Sequence, residues 1–445
     1  MNKVDVLILG AGASGLMCAA NAAYRGRSVT LIDHANMAGK KIIMSGGGRC
    51  NFTNMDASPK HFLSQNPHFV ISALKRYGPS HFVELMDRHG LEYVEKAPGQ
   101  LFCQKSAKDL LSILLTECEW AGVNLSLNTK VDKVTDLGES KEVETNQGTF
   151  VCESLVIATG GLSIPSKGAT GFGYQIAEQF GLDVLPTRAG LVPVTLQPDL
   201  KAKFEPLAGV SCDVSVTANK TSFTEPMLFT HRGLSGPSIL QISNHWQPGD
   251  ELKIDLYPAE SIYSLLVAAR DKNPKSQIDK VLSQLLPKRL ASMLIEDHEW
   301  QGVLAEYSNQ TFEEIAEILH NWVIKPNGTE GYRTAEVTLG GVDTNYVSSK
   351  TFEAKDVKGL FFIGEAIDVN IKGTLKMLDF AKASNAQHFY FADTSAEYDN
   401  IKGEENYPTD ETDAPNINTP MGYYAITKMA ASQFIRSYGE TNGIG

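Results

Sequence analysis

The chain has 445 residues, well beyond the size at which a single hydrophobic core stops growing, so two or three domains are expected. Hydrophobic residues make up 42% and charged residues 21%, as in an ordinary soluble globular protein, and no apolar run is long enough to span a bilayer. The net charge of -12 argues against a general nucleic-acid binder, but half of that excess comes from residues 397–413, so a basic face within the first 370 residues remains open.

Cysteine usage and the amino terminus indicate the compartment. The six cysteines form no CxxC pair and show no spacing suited to a disulfide framework or a metal cage. The first apolar run, Val4 to Leu9, is short and breaks at glycines instead of a cleavage site, so no targeting segment is evident. These features predict a protein of the reducing cytoplasm with no bound metal and no membrane attachment.

The first elements along the chain predict a dinucleotide site. The stretch VDVLILGAGASGLMCAANAAYRGRSVTLID, from Val4 to Asp33, is typical of a buried strand, a glycine turn, a helix and a second strand. Such a turn approaches a pyrophosphate closely, the helix start aims free N–H groups at it, and the carboxylate binds ribose hydroxyls. A glycine-rich turn of any α/β domain is the alternative, and the glycines do not choose between FAD and NAD. The predicted contacts are Gly10, Gly12, Ala13, Ser14, Gly15 and Asp33.

The next segment, GKKIIMSGGGRCNFTN, makes nucleotide binding more specific. Its three consecutive glycines, Gly46, Gly47 and Gly48, lose much backbone entropy on folding and indicate close main-chain approach to a flat ligand or a phosphate. Lys40, Lys41 and Arg49 add cationic donors beside them. A flexible surface loop is the alternative interpretation.

Two later segments place turns at the carboxyl ends of predicted strands. ESLVIATGGLSIPSKGATGFGYQIAEQFG reaches its turn at Thr159 and Gly160, and KGLFFIGEAIDV reaches its turn at Gly364 and Glu365. Ligands of open parallel sheets bind at this end of the strands. Both turns are therefore predicted to face the same nucleotide.

Six motifs follow one another in the order of a known family: LILGAGASGLMCA, GKKIIMSGGGRCNFTN, IATGGLSIPSKGATGFGY, PMLFTHRGLSGPSIL, AEVTLGGVD and GLFFIGEAIDV. Residues 1 to about 370 thereby resemble the BaiN/RdsA-type NAD(P)/FAD-dependent oxidoreductases, also known as aminoacetone-oxidase-like flavoproteins. The resemblance implies an α/β fold with a Rossmann-like FAD-binding domain at residues 1–188 and 343–369. It also implies an inserted β-rich domain at 189–342 with a helical subdomain at about 259–325, and periodicity favours strands and helices in those places.

The same resemblance implies the cofactor contacts. The turn from Gly10 to Ser14 would hold the pyrophosphate of FAD, Asp33 its ribose, and the backbone of Val131 its adenine. Lys40, Lys41 and the residues from Gly46 to Arg49 would lie along the cofactor, and Gly364 with Glu365 would meet its ribityl and phosphate region.

The chemistry implied by the family is reduction of an activated carbon–carbon double bond, in a small-molecule enone or in a uridine of ribosomal RNA. NAD(P)H is the implied electron donor, although no second G-x-G-x-x-G provides a site for it. Cys50 is the first candidate for the proton-donating acid, with Arg49 expected to lower its pKa; a small buried cysteine is the alternative. His231 is the second candidate, the alternative being a structural role with Ser235 or Ser238 capping a helix.

The family pattern stops after Asn370, where the glycine pair and closing helix of the flavoproteins are missing. Residues 370–445 instead resemble an internal α/β fragment of an NAD-dependent epimerase/dehydratase of the extended short-chain dehydrogenase type. Thr394, Tyr424 and Lys428 match its hydroxyl partner and Tyr-x-x-x-Lys pair. The fragment has neither an NAD turn nor a substrate domain, so no epimerase activity is expected.

Three functions therefore remain open from the sequence. The leading one is NAD(P)H-driven reduction by FAD, the second is a flavin amine oxidase of the aminoacetone-oxidase type, and the third is a non-catalytic hybrid with an incomplete flavin pocket. The sequence does not identify the oligomeric state.

Overall fold

The computed structural model describes residues 2–97 and 99–371. The helices are α1 (Ala13–Tyr24), α2 (Lys40–Gly48), α3 (Ile71–Arg76), α4 (Pro79–Arg88), α5 (Ala107–Trp120), α6 (Phe172–Gln179), α7 (Pro198–Phe204), α8 (Pro237–Ile242), α9 (Ile262–Lys272), α10 (Ile278–Leu285), α11 (Lys288–Asp297) and α12 (Asn309–His320). The strands are β1 (Asn2–Leu9), β2 (Val29–Ile32), β3 (Asn51–Asn54), β4 (Phe62–Leu63), β5 (Tyr93–Ala97), β6 (Gln100–Cys103), β7 (Asn124–Ser126), β8 (Val131–Asp136), β9 (Lys141–Thr145), β10 (Gly148–Ile157), β11 (Val184–Gly190), β12 (Val194–Thr195), β13 (Ser211–Ala218), β14 (Thr221–Phe229), β15 (Gly233–Ser235), β16 (Leu252–Asp255), β17 (Trp322–Ile324), β18 (Gly328–Thr329), β19 (Val337–Val342), β20 (Leu360–Phe362) and β21 (Asn370–Ile371).

A largely parallel sheet with the strand order β7-β2-β1-β10 organises the amino-terminal part of the fold. β10 pairs parallel with β1 on one side, and on the other side its first half pairs antiparallel with β9 and its last three residues pair parallel with β20. Apolar residues pack on both faces, with Leu16 and Leu114 on the α1 and α5 side and with Tyr174 and Phe362 on the other. The chain is therefore a Rossmann-like α/β fold, as predicted, in which a segment near residue 360 rejoins the first sheet.

A second, antiparallel sheet lies between these parts in sequence, with the strand order β17-β16-β13-β14-β15-β12-β18. It has its own hydrophobic core with helices α9 to α12, which includes Phe204, Phe229 and Phe312. The strands that leave and re-enter the first part, β11 and β19, pair antiparallel from Val184 opposite Val342 to Gly190 opposite Val337. The β-rich and helical character expected of this segment is confirmed, and the boundaries at 189, 259, 325 and 343 stay predictions.

The described chain ends in a strand that still packs on the first part. β21 pairs antiparallel with β4, and the Asp368 carboxylate accepts a hydrogen bond from the backbone N–H of Gln65 at 2.9 Å. The epimerase-like segment beyond this strand, with Thr394, Tyr424 and Lys428, lies outside the described residues. Within the described ranges, no helix is both long and apolar enough to cross a membrane, and no cluster of His, Cys, Asp and Glu is arranged to hold a metal ion.

The turn between β1 and α1 depends on glycine for packing at one position and not at another. A Cβ at residue 15 would lie 1.9 Å from the carbonyl oxygen of Gly10, which real contacts never allow. A Cβ at residue 12 would meet no atom within 4 Å, and Gly12 has an ordinary φ of -82°. Gly15 therefore serves helix-to-turn packing, whereas Gly12 leaves space beside the turn.

We expect Gly15→Ala to lower the free energy of unfolding by about 1–3 kcal/mol, because the added methyl group must push the Gly10 carbonyl away. Gly12→Ala is the matched control, and its unfolding free energy should stay within about 0.5 kcal/mol of the wild type. Thermal or urea unfolding of the full chain measures both. Equal midpoints for the two variants would contradict the packing role of Gly15.

Candidate functional site

The carboxyl ends of β1, β2 and β10 surround a cavity of about 1030 Å³. Ligands of open α/β sheets bind at this edge, where the strand order reverses. Most of the predicted nucleotide contacts line it together, although they come from six separate stretches of the chain. These residues are Gly10, Gly12, Ala13, Ser14, Asp33, Lys40, Lys41, Val131, Thr159, Gly160, Gly364 and Glu365.

The β1–α1 turn gives the cavity the features of an anion site. The first N–H groups of α1 have no partner within the helix, and the space beside Gly12 leaves room for a ligand next to them. Asp33 braces the turn, since its carboxylate accepts from the backbone N–H of Ala11 at 2.7 Å and from that of Ala35 at 2.8 Å. Each carboxylate oxygen keeps a further acceptor position for a ribose hydroxyl. These features, with Lys40 and Lys41 beside them, fit the pyrophosphate and ribose of FAD.

The Glu365 carboxylate ties together the segments that form one wall of the cavity. It pairs with Lys41 Nζ at 3.1 Å, accepts from the Ser163 hydroxyl at 3.0 Å, and accepts from the backbone N–H of Thr338 at 2.5 Å. Lys41 also donates to Ser163 Oγ at 2.7 Å. The Glu365 side chain is only 21% exposed, so these donors replace water that the carboxylate has lost.

Thr338 extends this network to the strand that returns from the insertion. Its hydroxyl oxygen accepts from the backbone N–H groups of Leu162 at 2.7 Å and Ser163 at 3.0 Å. A Cβ at Gly161 would lie 2.6 Å from that hydroxyl oxygen. The turn after β10 therefore has the shape that β19 imposes on it.

The triple glycine is a turn at the end of α2, and it does not line the cavity. The backbone is helical from Lys40, becomes extended at Ser45, and is left-handed at Gly46 and Gly47. A Cβ at Gly46 would lie 2.7 Å from the backbone nitrogen of Asn51 and 2.9 Å from the Phe102 ring, which explains this glycine by packing. The expected place of Gly46, Gly47, Gly48 and Arg49 along a cofactor has no counterpart in the cavity lining and stays a prediction.

Cys50 lines the cavity and has an unusual environment. It is 5% exposed and adopts a left-handed φ of 43°, which is strained for a residue other than glycine. Burial raises the pKa of the Cys50 thiol above its ordinary value, and a hydrogen bond with the Ser45 side chain opposes this in part. The expectation that Arg49 lowers this pKa is wrong, because Arg49 is exposed and the desolvation of the thiol dominates. Cys50 is therefore a protonated thiol at neutral pH.

His231 lies away from these residues. It is exposed in the connection between β14 and β15 and is not part of the cavity lining. The capping alternative for this segment is also wrong, because Gly236 is the N-cap of α8 and the Ser238 hydroxyl donates to the carbonyl of Pro226 at 3.2 Å. The predicted catalytic role of His231 thus has no geometric support from the described residues.

Several cavity residues carry no local sequence signal. Four of them are apolar and belong to the core around the glycine turn. They are Phe52 of β3, Phe82 of α4, and Leu110 and Leu114 of α5. The glycine-punctuated loop from Lys167 to Phe172 belongs to one of the six sequence motifs, and its residues line the cavity. Glu365 was predicted from its motif, whereas its partner Ser163 was not.

Comparison with known families gives two matches. The HI0933-like protein Rossmann domain family matches residues 4–375, and the NAD-dependent epimerase/dehydratase family matches residues 362–445. The first match contains all of the cavity residues. The two overlap at residues 362–375, which include the predicted junction at Val369 and Asn370.

Known proteins similar to this chain match it over most of its length. Identity is 49% over 371 residues with a "Ribosomal RNA dihydrouridine synthase" of Escherichia coli, which covers 83% of this chain and 93% of that protein. It is 47% over 369 residues with the protein of the same name from Haemophilus influenzae, covering 82% and 92%. A "3-dehydro-bile acid delta(4,6)-reductase" of Clostridium scindens is 29% identical over 390 residues, covering 83% and 93%.

We expect Glu365→Gln to lower the free energy of unfolding by about 2–3 kcal/mol, since hydrogen bonds to a charged group are lost and Lys41 is left unpaired. Glu139→Gln is the control, because Glu139 pairs with Lys358 while 84% exposed, and the expected change there is below about 0.5 kcal/mol. Urea unfolding of both variants provides the measurement. Similar losses for the two would show that the Glu365 network does not stabilise the fold.

Proposed function

Because this chain belongs to the HI0933-like Rossmann-domain family of FAD-dependent oxidoreductases, we propose that it reduces the carbon–carbon double bond of a uridine in ribosomal RNA, with NAD(P)H as electron donor. The observation that supports this substrate is the 49% identity with the Escherichia coli ribosomal RNA dihydrouridine synthase over 93% of that protein. The cavity residues lie inside the matched region.

The chain's own residues would hold FAD along the sheet edge. The N–H groups at Ala13 and Ser14 would bind the pyrophosphate, Asp33 the ribose, and the backbone of Val131 the adenine. Lys41 and Glu365, already paired at 3.1 Å, would hold the opposite wall in place. When bound, FAD supplies the hydride that the protein itself cannot provide.

Cys50 is the proposed proton donor for the neighbouring carbon. A donor must carry its proton at neutral pH, and the raised pKa of this buried thiol ensures that it does. Cys50 lines the cavity and has a strained φ of 43°, and strain of this kind is concentrated at functional sites.

A small-molecule enone is the second candidate substrate. The Clostridium scindens bile acid reductase supports it, since that protein is 29% identical and also covered over 93% of its length. The lower identity makes it the weaker of the two.

The proposed function predicts that the purified protein, supplied with FAD and NADPH, converts uridine in an unmodified large-subunit ribosomal RNA transcript to dihydrouridine. Nuclease digestion and mass spectrometry detect the product by its two added hydrogens. Reaction mixtures without FAD or without NADPH are the controls. Reduction of an enone steroid with no dihydrouridine formed would assign the second substrate, and oxygen uptake with aminoacetone in place of reduction would assign an amine oxidase.

Removal of the Cys50 thiol is expected to slow substrate reduction by roughly 10²–10⁴-fold, the usual contribution of a positioned acid, with no change in flavin reduction by NADPH. Cys212→Ala, a thiol in β13 outside the cavity lining, is the control. Since the protonated thiol is the active form and its pKa lies above the ordinary 9.0, the wild-type rate should stay level up to that pH and fall at higher pH. A normal single-turnover rate for Cys50→Ala in stopped-flow measurements would rule out the acid role.

A further inference from the structure

Two arginines converge on one carboxylate near the connection of the two sheets. Arg232 Nη1 lies 3.3 Å and Arg333 Nη2 lies 3.5 Å from the same Oε2 atom of Glu330. Arg232 follows β14, whereas Arg333 ends the short 3-10 helix Gly331–Arg333 after β18. The cluster is therefore formed by tertiary structure and not by neighbours in sequence alone.

The cluster holds more positive charge than its own acid neutralises. One arginine would satisfy Glu330, which is 10% exposed, and the second guanidinium leaves one surplus positive charge. Arg232 is 39% exposed and Arg333 is 63% exposed, so their remaining N–H donors face solvent. A planar guanidinium with several free donors is well suited to a phosphate group, and the shared Glu330 carboxylate brings the two guanidiniums together.

The cluster lies close to the wall of the cavity. The backbone N–H of Ile164 donates to the carbonyl of Tyr332 at 2.8 Å, which joins the residue before Arg333 to the turn after β10. Ser163, the residue preceding Ile164, donates to the carboxylate of Glu365, which lines the cavity. On the other side of Ile164, the 3-10 helix Pro165–Lys167 brings a further cation, Lys167, into the cavity lining. A lysine of the cavity lining and Arg333 therefore belong to two short segments that this backbone hydrogen bond joins.

We propose that Arg232 and Arg333, held by Glu330, bind a backbone phosphate of the RNA whose uridine enters the cavity. This rests on the proposed function, and it adds the surface by which a chain with a net charge of -12 holds a polyanion. Phosphate could also be supplied by NAD(P)H, so the experiment measures both ligands.

The test compares Arg333→Gln, Arg232→Gln and the charge-preserving Arg333→Lys in the full chain. Arg27→Gln is the matched control, because Arg27 is 59% exposed, lies 3.9 Å from Glu153, and precedes β2 at the sheet edge opposite the cavity. Binding of an unmodified large-subunit ribosomal RNA transcript is measured at several salt concentrations. The KM for NADPH, the FAD content and the unfolding midpoint are measured alongside.

Each glutamine variant should bind the transcript roughly threefold more weakly at moderate salt, and the slope of log affinity against log salt should decrease by about one unit. Arg333→Lys should recover part of the affinity, whereas Arg27→Gln, the KM for NADPH and the FAD content should not change. Unchanged RNA affinity in both glutamine variants would overturn the proposal while leaving the reductase function intact, provided that the wild type modifies the transcript. A raised KM for NADPH with normal RNA binding would also overturn it and assign the arginines to the electron donor. A wild type that neither binds nor modifies the transcript would overturn both proposals.

Discussion

The cavity depends on the hydrogen bonds that the Glu365 carboxylate accepts. A partly buried carboxylate is unfavourable unless donors replace its water, and its three donors come from α2, from the turn after β10 and from β19. Lys41 and Ser163 are separated from Glu365 by 324 and 202 positions in the chain. The wall of the cavity is therefore complete only after β20 has joined β10 and brought Glu365 to the sheet edge. The cavity beside the β1–α1 turn thus depends on the folding of β20, more than 300 residues later in the chain.

Local signals predicted one half of the site well. Gly10, Gly12, Ala13, Ser14 and Asp33 belong to a single strand–turn–helix–strand unit whose geometry is decided by neighbours in sequence, and all five line the cavity. Residues such as Phe82 and Leu114 are ordinary core positions of amphipathic helices, and only the packing of α4 and α5 brings them to the cavity. No periodicity distinguishes them from other buried positions.

The pKa of Cys50 and the backbone conformation around it are harder to predict from sequence than the position of Cys50 at the cavity. The sequence places Arg49 next to Cys50 and so favours a lowered pKa, but the backbone turn directs the arginine to solvent and buries the thiol. The three glycines before it form a left-handed turn, and at Gly46 a side chain would collide with Phe102 and with the backbone of Asn51. The backbone conformation of a turn sets the direction of each side chain in it. Two residues that are adjacent in sequence can therefore face opposite environments, and the sequence alone does not show which.

The pairing of β11 with β19 has a consequence for how such chains diversify. Neighbouring strands of a sheet lie about 4.8 Å apart, so the point of departure and the point of return of the second sheet are almost in contact. A segment whose two ends meet can be lengthened, shortened or exchanged without stretching the scaffold that anchors it. Recombination between relatives could thus replace the region that carries Arg232 and Glu330 while the nucleotide-binding architecture is inherited unchanged. The surface of the inserted segment would then change without any change in the strands that surround the cavity.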